Sequence, residues 1–570
     1  MNGGANRRKG WKQVTMRIPL RRGLAVTASV ALLAGFGGCV QSQRQSSSPG
    51  ASGGTTKETF VFAASSDPIM LDPAMASDGE TFRIARQQFE GLLGTKPGTT
   101  ELDPRLATAW KASADNKSFT FTLREGVKFS DDTDFNAEAV CANFERWFNW
   151  TGINQSENIT YYYGKLMRGY KTGANSGEAL YKNCEAKSAT EVTVNLNSPF
   201  VHFPDAMTLP SFSMQSPTAL KKYNADNTSG TETDPRFSEY ATAHPTGTGP
   251  FVFESWDRGQ QVKLKRNDNY WGEKAKVSEV IIRTISDPKA RTQELQAGNI
   301  DGYDLVAPAD VPTLKSGGFQ VMQRPAFNIL YLGMNQKVKA LSDLKVRQAI
   351  AYAIDKDALI KQVMPEGTKA AINFMPDNVT GWTDGVTKYA YDPGKAKDLL
   401  KEAGQENLTL DFNYPTGVSR PYMPSPEDIY TSLKAQLEAV GIKVTPVANK
   451  WSPDYLDKIQ GGSSHGIHLL GWTGDYNDPD NFVGVFFGVK ANEWGFDNPD
   501  LFSALKEARQ MGDASAQKAK YEEVNKMIAD FVPGVPLTHA PPSLAFGAGV
   551  QGYVPSPVQD EVWNRITISK

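Results

Sequence analysis

The sequence lacks the short motifs that mark several enzyme classes. It has no GxSxG nucleophile elbow between a strand and a helix, no HExxH, no phosphate-binding loop and no cysteine paired with histidine in a catalytic context. The chain of 570 residues contains only five histidines and three cysteines. These absences disfavour an enzyme. A glycoside hydrolase stays open as an alternative, because any chain of this length offers the two carboxylates it needs.

An excess of basic residues is also missing. The 61 Lys and Arg residues against 63 Asp and Glu residues give a formal net charge of −2. Seven of the basic residues, and no acidic one, lie in residues 1–38, so the remainder carries a formal charge of about −9. A chain with this charge has no electrostatic footprint for nucleic acid, and no RNA- or DNA-binding motif is present.

Apolar runs are scarce outside the N-terminus. A basic stretch precedes the apolar run LAVTASVALLAGF, which is followed by Gly37, Gly38 and Cys39. This pattern predicts a secretory signal peptide over residues 1–38. The small residues before Cys39 resemble a bacterial lipobox, with Phe36 where Leu is usual, and the Ser/Gly-rich residues 39–56 suit a tether. We therefore expect lipid on Cys39, an ordinary signal peptide cut nearby being the alternative.

The two remaining cysteines are Cys141 and Cys184. Disulfides persist in oxidising compartments outside the cytoplasm, and an even pair in an exported chain favours one. We predict a Cys141–Cys184 disulfide, with two buried free thiols as the alternative.

The length and patterning predict a multidomain α/β protein. A chain of 570 residues is too long for one hydrophobic core, and 40% hydrophobic with 22% charged residues is typical of a globular protein. Strand-like alternation occurs at residues 59–65, 118–124, 191–197, 262–267 and 279–285, and further strands are expected at 408–416, 442–447 and 465–473. Helical patterns cover residues 342–363, 392–404, 426–440 and 499–530, the last with a break at Gly512. Strands that alternate with helices indicate parallel strand pairs.

The stretch LGWTGDYNDPDNF, residues 470–482, combines three acids with three aromatic residues. Asp475 follows the carboxyl end of one predicted strand, and Arg420 follows the carboxyl end of another. Because open α/β sheets bind ligands outside these ends, the acid and the base are expected to line one cleft. Asp478 and Asp480 fit turn and helix-capping positions, and Pro479 stands where an EF-hand would need a ligand.

His465 and His468 indicate a metal site only weakly. Residues three apart on a strand point to opposite faces, so the two imidazoles are not expected to share an ion. Taken without a family resemblance, Arg420 is better interpreted as a solvated surface residue, which is the usual place of arginine.

Five segments carry a family resemblance. In chain order they are residues 106–140, 247–256, 267–283, 294–302 and 345–360. Together they resemble the extracellular solute-binding proteins of peptide/nickel ABC importers (family 5, cluster C), and the match is closest to dipeptide-binding lipoproteins. The resemblance covers nearly all of the mature chain. Two loops, 141–190 and 221–243, are longer than is usual in that family.

The resemblance implies an α/β chain with a two-lobed periplasmic-binding-protein type II-like fold, mixed sheets and an enlarged first lobe. Two crossing segments, near residues 325–328 and 539–545, would form the hinge. Lobe I would comprise residues 57–326 plus 543–570, and lobe II residues 327–542. The protein would be a monomer without cofactor or metal, held at the membrane by its N-terminal lipid. It would deliver a short peptide to a membrane permease.

The resemblance also implies the ligand contacts. Asp475, in the segment GWTGD, would bind the α-ammonium of a dipeptide, and Arg420, in Arg-Pro-Tyr, would bind its carboxylate. Each charged end of a zwitterion is expensive to bury without an opposite partner, and a guanidinium meets a carboxylate in bidentate fashion. The other expected contacts are aromatic walls and polar or backbone groups: Trp472, Thr473, Tyr476, Tyr422, Gly247, Thr248 and Gly249. An oligosaccharide or nickel-chelate receptor, and an exported hydrolase, are the alternatives.

Overall fold

The computed structural model describes residues 57–173, 175–461 and 465–569. The predicted signal peptide, the lipid site at Cys39 and the predicted tether lie outside these residues. None of the helices in the described part of the chain combines the length and the apolar character that a membrane crossing requires.

Short strands make up the sheets. They are β1 (Thr59–Ala64), β2 (Leu93–Thr95), β3 (Leu102–Pro104), β4 (Ala107–Ala112), β5 (Ser118–Leu123), β6 (Tyr181–Ala186), β7 (Glu191–Leu196), β8 (Ser229–Thr231), β9 (Asp234–Arg236), β10 (Phe251–Asp257), β11 (Gln261–Arg266), β12 (Glu279–Thr284), β13 (Gly302–Asp304), β14 (Gln320–Gln323), β15 (Asn328–Met334), β16 (Lys369–Ala370), β17 (Thr409–Thr416), β18 (Lys443–Lys450), β19 (Ile467–Thr473), β20 (Gly534–His539), β21 (Ser543–Phe546), β22 (Val550–Gln551) and β23 (Thr567–Ile568). The strands predicted from alternation are confirmed.

The helices lie between these strands. They are α1 (Gly79–Gln88), α2 (Ala137–Phe148), α3 (Tyr161–Met167), α4 (Phe203–Ala206), α5 (Pro217–Lys222), α6 (Glu239–Ala243), α7 (Pro288–Gln296), α8 (Val311–Ser316), α9 (Leu344–Ala353), α10 (Lys356–Val363), α11 (Pro393–Glu402), α12 (Pro426–Ala439), α13 (Leu456–Gln460), α14 (Val483–Phe487), α15 (Pro499–Gln510) and α16 (Ala514–Phe531). The helix expected over 342–363 is two helices, since the side chain of Asp355 caps a new helix by accepting from Ala358 N.

A seven-stranded sheet organises the first part of the fold, which we call lobe I. Its strand order is β10-β11-β12-β1-β13-β21-β14. The apolar sequence TFVFAA makes β1 a nearly fully buried strand, parallel to both neighbours, β12 and β13. The C-terminal strand β21 fills the place between β13 and β14. Lobe I is therefore built from both ends of the described chain.

A six-stranded sheet with the order β16-β20-β15-β19-β17-β18 organises the second part, lobe II. All seven residues of β15 are buried, as expected for an apolar strand between two partners. Strand β17 lies parallel to β19 and to β18. The carboxyl ends of β17 and β19 consequently meet at one edge of this sheet.

The chain passes between the two sheets twice, at residues 324–327 and 540–542. The two passages are joined by hydrogen bonds: Arg324 N donates to Pro542 O at 2.9 Å. The side-chain amide of Asn328 donates to Ala540 O at 2.7 Å, and its oxygen accepts from Ala540 N at 3.1 Å. The predicted two-lobed fold with mixed sheets and two crossing segments is thereby confirmed.

Lobe I is enlarged by a four-stranded sheet with the order β4-β5-β7-β6 and by the helices that cover it. A disulfide joins Cys141 of α2 to Cys184 of β6, with 5.2 Å between the Cα atoms. Residues 149–180 connect α2 to β6, and we call them the bridged segment. The disulfide thus closes the base of a long excursion from lobe I.

Several polar contacts join the two lobes. The amide of Asn116 donates to Gly512 O at 2.7 Å, and Asn477 Nδ2 lies 3.4 Å from Thr100 Oγ1. Gly512 is the break between α15 and α16 that the sequence predicts. The lobes of the described structure are closed against each other along this line.

Candidate functional site

Arg420 and Asp475 follow adjacent parallel strands. Arg420 lies four residues after the end of β17, and Asp475 lies two residues after the end of β19. Both carboxyl ends face the same edge of the lobe II sheet, so the topology brings an acid and a base to one side of the cleft. The geometric expectation about their place in the sheet is confirmed.

The carboxylate of Asp475 is partly buried and reached from lobe I. The hydroxyl of Tyr162 in α3 donates a hydrogen bond to its Oδ2. Burial raises the pKa of Asp475 to about 7, while the hydrogen bond from Tyr162 and the charge of Arg86 oppose the shift. The backbone N–H of Asp475 donates to Asn481 Oδ1 at 3.0 Å and fixes the turn. A nearby cation would stabilise the ionised form of this carboxylate at neutral pH.

The guanidinium of Arg420 stacks on an aromatic ring. Its Cζ lies 4.2 Å from the centroid of the Trp451 ring, a cation–π contact. Backbone hydrogen bonds between Arg420 and Met423 hold the turn, at 3.0 and 2.9 Å. The Nε atom is buried without a hydrogen-bond partner, and no described carboxylate forms an ion pair with this side chain. Arg420 is thus oriented by the protein, and no described carboxylate lies within ion-pair distance of its guanidinium.

Helix α1 of lobe I faces both residues. Asp78 caps its N-terminus by accepting from Thr81 N at 2.9 Å, and Arg86 lies in its last turn. Burial raises the pKa of Asp78, and the charge of Arg420 opposes that shift. Burial lowers the pKa of Arg86, and Asp560 and Asp475 oppose it. The beginning of α1 is therefore near Arg420, and its end is near Asp475.

The predicted aromatic walls have different surroundings. The ring of Trp472 is half-buried, with centroid distances of 6.4 Å to Tyr161 and 6.3 Å to Phe486, and its Nε1 is a buried donor without a partner among the described residues. Tyr476 packs into the apolar cluster of lobe I and is 3% exposed. The indole Nε1 of Trp472 is therefore a donor without a described partner, whereas Tyr476 anchors its lobe II loop in the apolar cluster of lobe I.

Two further predicted contacts lie near these residues. Thr473 ends β19, is half-buried and pairs with Asn328 of β15. Tyr422 is buried in the core of lobe II, where a Cβ added at Gly471 would approach its ring to 2.4 Å. The close approach explains a glycine at position 471 and places the Tyr422 ring behind the strand end.

The backbone groups expected from Gly247, Thr248 and Gly249 are largely engaged inside lobe I. Gly247 O accepts from Ser130 N at 2.8 Å, and Gly249 N donates to Gln88 O at 2.9 Å. Thr248 Oγ1 donates to a buried carboxylate at 2.8 Å. A Cβ at Gly247 would meet Gln88 O at 2.2 Å. These glycines let the chain pack against the end of α1, and a ligand contact by this segment stays a prediction.

The acids of the 470–482 loop divide into two roles. Asp478 caps the short 3-10 helix Pro479–Asn481, accepting from Asp480 N at 2.8 Å, as predicted. Asp480 is not a cap; it pairs with Arg509 at 2.8 Å. No group of three or more metal-ligating side chains occurs in the parts of the chain that the structure describes.

The expectation that His465 and His468 point apart is wrong. Their ring centroids are 4.9 Å apart, and both imidazoles contact Glu493, through its carbonyl and its carboxylate respectively, at 3.1 Å. Strand β19 begins at Ile467, so His465 precedes it and strand alternation does not apply there.

A cavity of about 300 Å³ lies in lobe II, away from this cluster. Its lining includes Ile354, Phe374, Tyr389 and Ile528, and it shares no residue with the cluster around Arg420 and Asp475. Since none of its lining residues belongs to that cluster, we do not assign it to the site.

Sequence reasoning missed the contributions of lobe I and one residue of lobe II. The missed residues are Asp78, Arg86, Tyr161, Tyr162 and Trp451. The run of three tyrosines at 161–163 was a usable signal, because it lies in one of the two long loops.

A two-lobed α/β fold with an acid and a base near the line where the lobes meet is typical of proteins that bind a solute between two lobes. The family model described as "Bacterial extracellular solute-binding proteins, family 5 Middle" matches residues 101–494. The chain belongs to this family of bacterial extracellular solute-binding proteins.

Relatives agree with this assignment. The dipeptide-binding protein of Escherichia coli (strain K12) is 30% identical over 528 residues, covering 90% of this chain and 95% of the relative. Heme-binding protein A of Haemophilus influenzae is 30% identical over 518 residues, covering 88% and 91%. The crystal structure of a dipeptide-binding protein from Pseudoalteromonas sp. SM9913 in complex with Met-Leu has a TM-score of 0.76 at 26% identity, covering 90% of this chain and all of that one.

Proposed function

We propose that this protein binds short peptides, in the first place dipeptides, between its lobes and delivers them to the membrane permease of an ABC importer. The observation that carries the proposal is the state of Arg420, a stacked guanidinium with a buried Nε and no described anionic partner. A ligand carboxylate supplies that partner in bidentate fashion. The ligand ammonium would stabilise the ionised form of Asp475, whose pKa is raised to about 7.

Relatives support a peptide ligand. The name of the Escherichia coli relative and the Met-Leu complex of the Pseudoalteromonas protein both refer to dipeptides. We further propose that lobe I spans residues 57–326 plus 543–570 and lobe II residues 327–542. In this proposal Cys39 carries the lipid that holds a monomeric receptor at the membrane, after removal of residues 1–38. The receptor performs no chemistry on its ligand.

A thermal-shift panel tests the proposal. Free dipeptides, tripeptides, cello-oligosaccharides and nickel are each added to the purified protein. A ligand at a hundred times its dissociation constant adds about 2.7 kcal/mol to the free energy of unfolding, which raises the melting temperature clearly. We expect free dipeptides to raise it. A shift with sugars or nickel alone, and none with dipeptides, contradicts the proposal.

Heme is a second candidate, because the Haemophilus influenzae relative is named for heme binding at the same identity. Adding heme to the panel and recording its absorption spectrum separates the two. A zwitterion site uses both Arg420 and Asp475, so a heme complex that is unchanged in variants of both residues would favour this second function.

A further inference from the structure

The bridged segment brings two tyrosines to the proposed ammonium end of the cleft. It contains α3, which begins with Tyr161 and Tyr162. The hydroxyl of Tyr162 donates to Asp475 Oδ2 across the line between the lobes. The ring of Tyr161 lies edge-on to the ring of Tyr162 at 5.1 Å and reaches Trp472 at 6.4 Å. The hydroxyl of Tyr162 thus contacts this carboxylate, and the ring of Tyr161 links the rings of Tyr162 and Trp472.

The position of α3 is fixed from several sides. The ring of Tyr162 is 3% exposed and packs against Phe82 of α1 at 5.8 Å. The amide of Asn154 donates to Asp226 O at 2.8 Å, and Thr160 Oγ1 donates to Asn154 O at 2.7 Å. The Cys141–Cys184 disulfide closes the base of the segment. A hydroxyl held in this way is oriented before any ligand arrives.

The two carboxylate oxygens of Asp475 differ in their hydrogen-bond partners. Oδ2 accepts from Tyr162, and no described residue donates to Oδ1. The charged and titratable groups that act on this carboxylate or are affected by it are Arg86 from α1 and Tyr161 and Tyr162 from α3. One oxygen is therefore held by the protein, and the other is left to a ligand cation.

From this arrangement we propose that Tyr162 is a positioning residue for Asp475, because its hydroxyl holds Oδ2 and leaves Oδ1 for the ligand ammonium. The inference rests on the proposed peptide function. A hydrogen bond to the ionised carboxylate favours the form that pairs with an ammonium.

The variant Tyr162→Phe tests the positioning role by removing the hydroxyl and keeping the ring. We expect its affinity for a free dipeptide to fall about tenfold at pH 7.5. The pH at which affinity is half-lost should move upward, because a contact that lowers the pKa of Asp475 is gone. Isothermal titration calorimetry between pH 5.5 and 8.5 measures both effects.

Tyr163→Phe is the matched control. Tyr163 is the next residue of the same helix, and its buried hydroxyl has no hydrogen-bond partner among the described residues. We expect this variant to bind like the wild type with the same pH profile. Equal affinity and equal pH midpoints in Tyr162→Phe and wild type overturn the positioning role, and so does tighter binding by Tyr162→Phe. If the wild-type protein binds no free dipeptide in the same titrations, the proposed peptide function fails instead.

Discussion

Arg420 carries the sharpest prediction at the scale of single residues. Arg420→Ala should weaken dipeptide binding by about 2–5 kcal/mol, because a ligand carboxylate would be buried without a partner. Calorimetric titration of variant and wild type measures the difference. The exposed Arg236 of β9 provides a control, and Arg236→Ala should bind like the wild type. Unchanged affinity in Arg420→Ala would remove this residue from the site.

The raised pKa of Asp475 predicts a pH dependence of binding. The ionised form pairs with an ammonium, and this form is lost as the pH falls below about 7. Dipeptide affinity should therefore be about fourfold lower at pH 6 than at pH 8, because the loss of ionised Asp475 outweighs the partial deprotonation of the ligand ammonium at pH 8. Titrations at both values measure the ratio, and a flat profile between them would show that Asp475 does not bind the ammonium.

The same carboxylate predicts a pH dependence of stability in the ligand-free protein. Because burial raises its pKa above the ordinary value of 3.8, the folded state holds this proton more tightly than the unfolded state does. The contribution of Asp475 to stability therefore falls as the pH rises from about 4 to about 7. The free energy of unfolding of Asp475→Asn should exceed that of the wild type by about 2 kcal/mol at pH 8, and the two should be about equal at pH 4. A variant that melts lower than the wild type at pH 8 contradicts this sign.

At the scale of elements, the first crossing segment is anchored by a buried ionic network. Arg324 is 1% exposed and pairs with Asp304 at 2.6 Å and Glu561 at 2.5 Å. Although burial alone would raise it, Arg324 and Arg83 hold the pKa of Asp304 at about 2. The network joins β13, α1 and the C-terminal residues to the point where the chain leaves lobe I.

Arg324→Ala should cost about 3–5 kcal/mol in the free energy of unfolding, because it leaves the two buried carboxylates Asp304 and Glu561 with Arg83 as their one remaining cation among the described residues. Urea denaturation measures the loss. Arg283→Ala is the control: its ion pair with Glu294 is about one-third exposed on both sides and should contribute less than about 1 kcal/mol. Similar losses in both variants would mean that the network does not anchor the crossing.

Much of the element order could be predicted from the sequence. Alternation located strands such as β5, β7 and β12. Gly404 and Gly441, which follow α11 and α12, have positive φ values of 66° and 96°, as is typical of glycines at helix C-termini. Local patterns determine these features. The sequence also predicted the placement of Arg420 and Asp475, because the carboxyl ends of parallel strands meet at the same edge of a sheet.

The remaining features depend on tertiary contacts that no local pattern reports. Gly247 and Gly249 are dictated by a close approach of α1, more than 150 positions earlier in the chain. The ring pair of His465 and His468 depends on where β19 begins. Tyr162 meets Asp475 across 313 positions of sequence, inside an insertion whose path only the fold defines.

At the scale of the whole molecule, the contacts between the lobes predict a ligand-linked closure. Asn116 reaches Gly512, and Tyr162 reaches Asp475, so the described arrangement joins the lobes at separate points. A bound dipeptide adds bridges to both lobes and should shift the population further toward this closed state. Small-angle X-ray scattering should give a smaller radius of gyration with dipeptide than without. Arg420→Ala should not show the change at the same ligand concentration, and equal radii with and without ligand in the wild type would argue against closure.

The path of the chain through the first sheet has a consequence for biosynthesis. Strand β21, residues Ser543–Phe546, fills the gap between β13 and β14, which precede it by more than 200 positions. While the ribosome is still adding these last residues, the sheet of lobe I is split, whereas the strands of lobe II have all been made. The part of the protein that is synthesised first is thus completed last. This order is compatible with the export of an unfolded chain, because lobe I folds only when the whole chain is present.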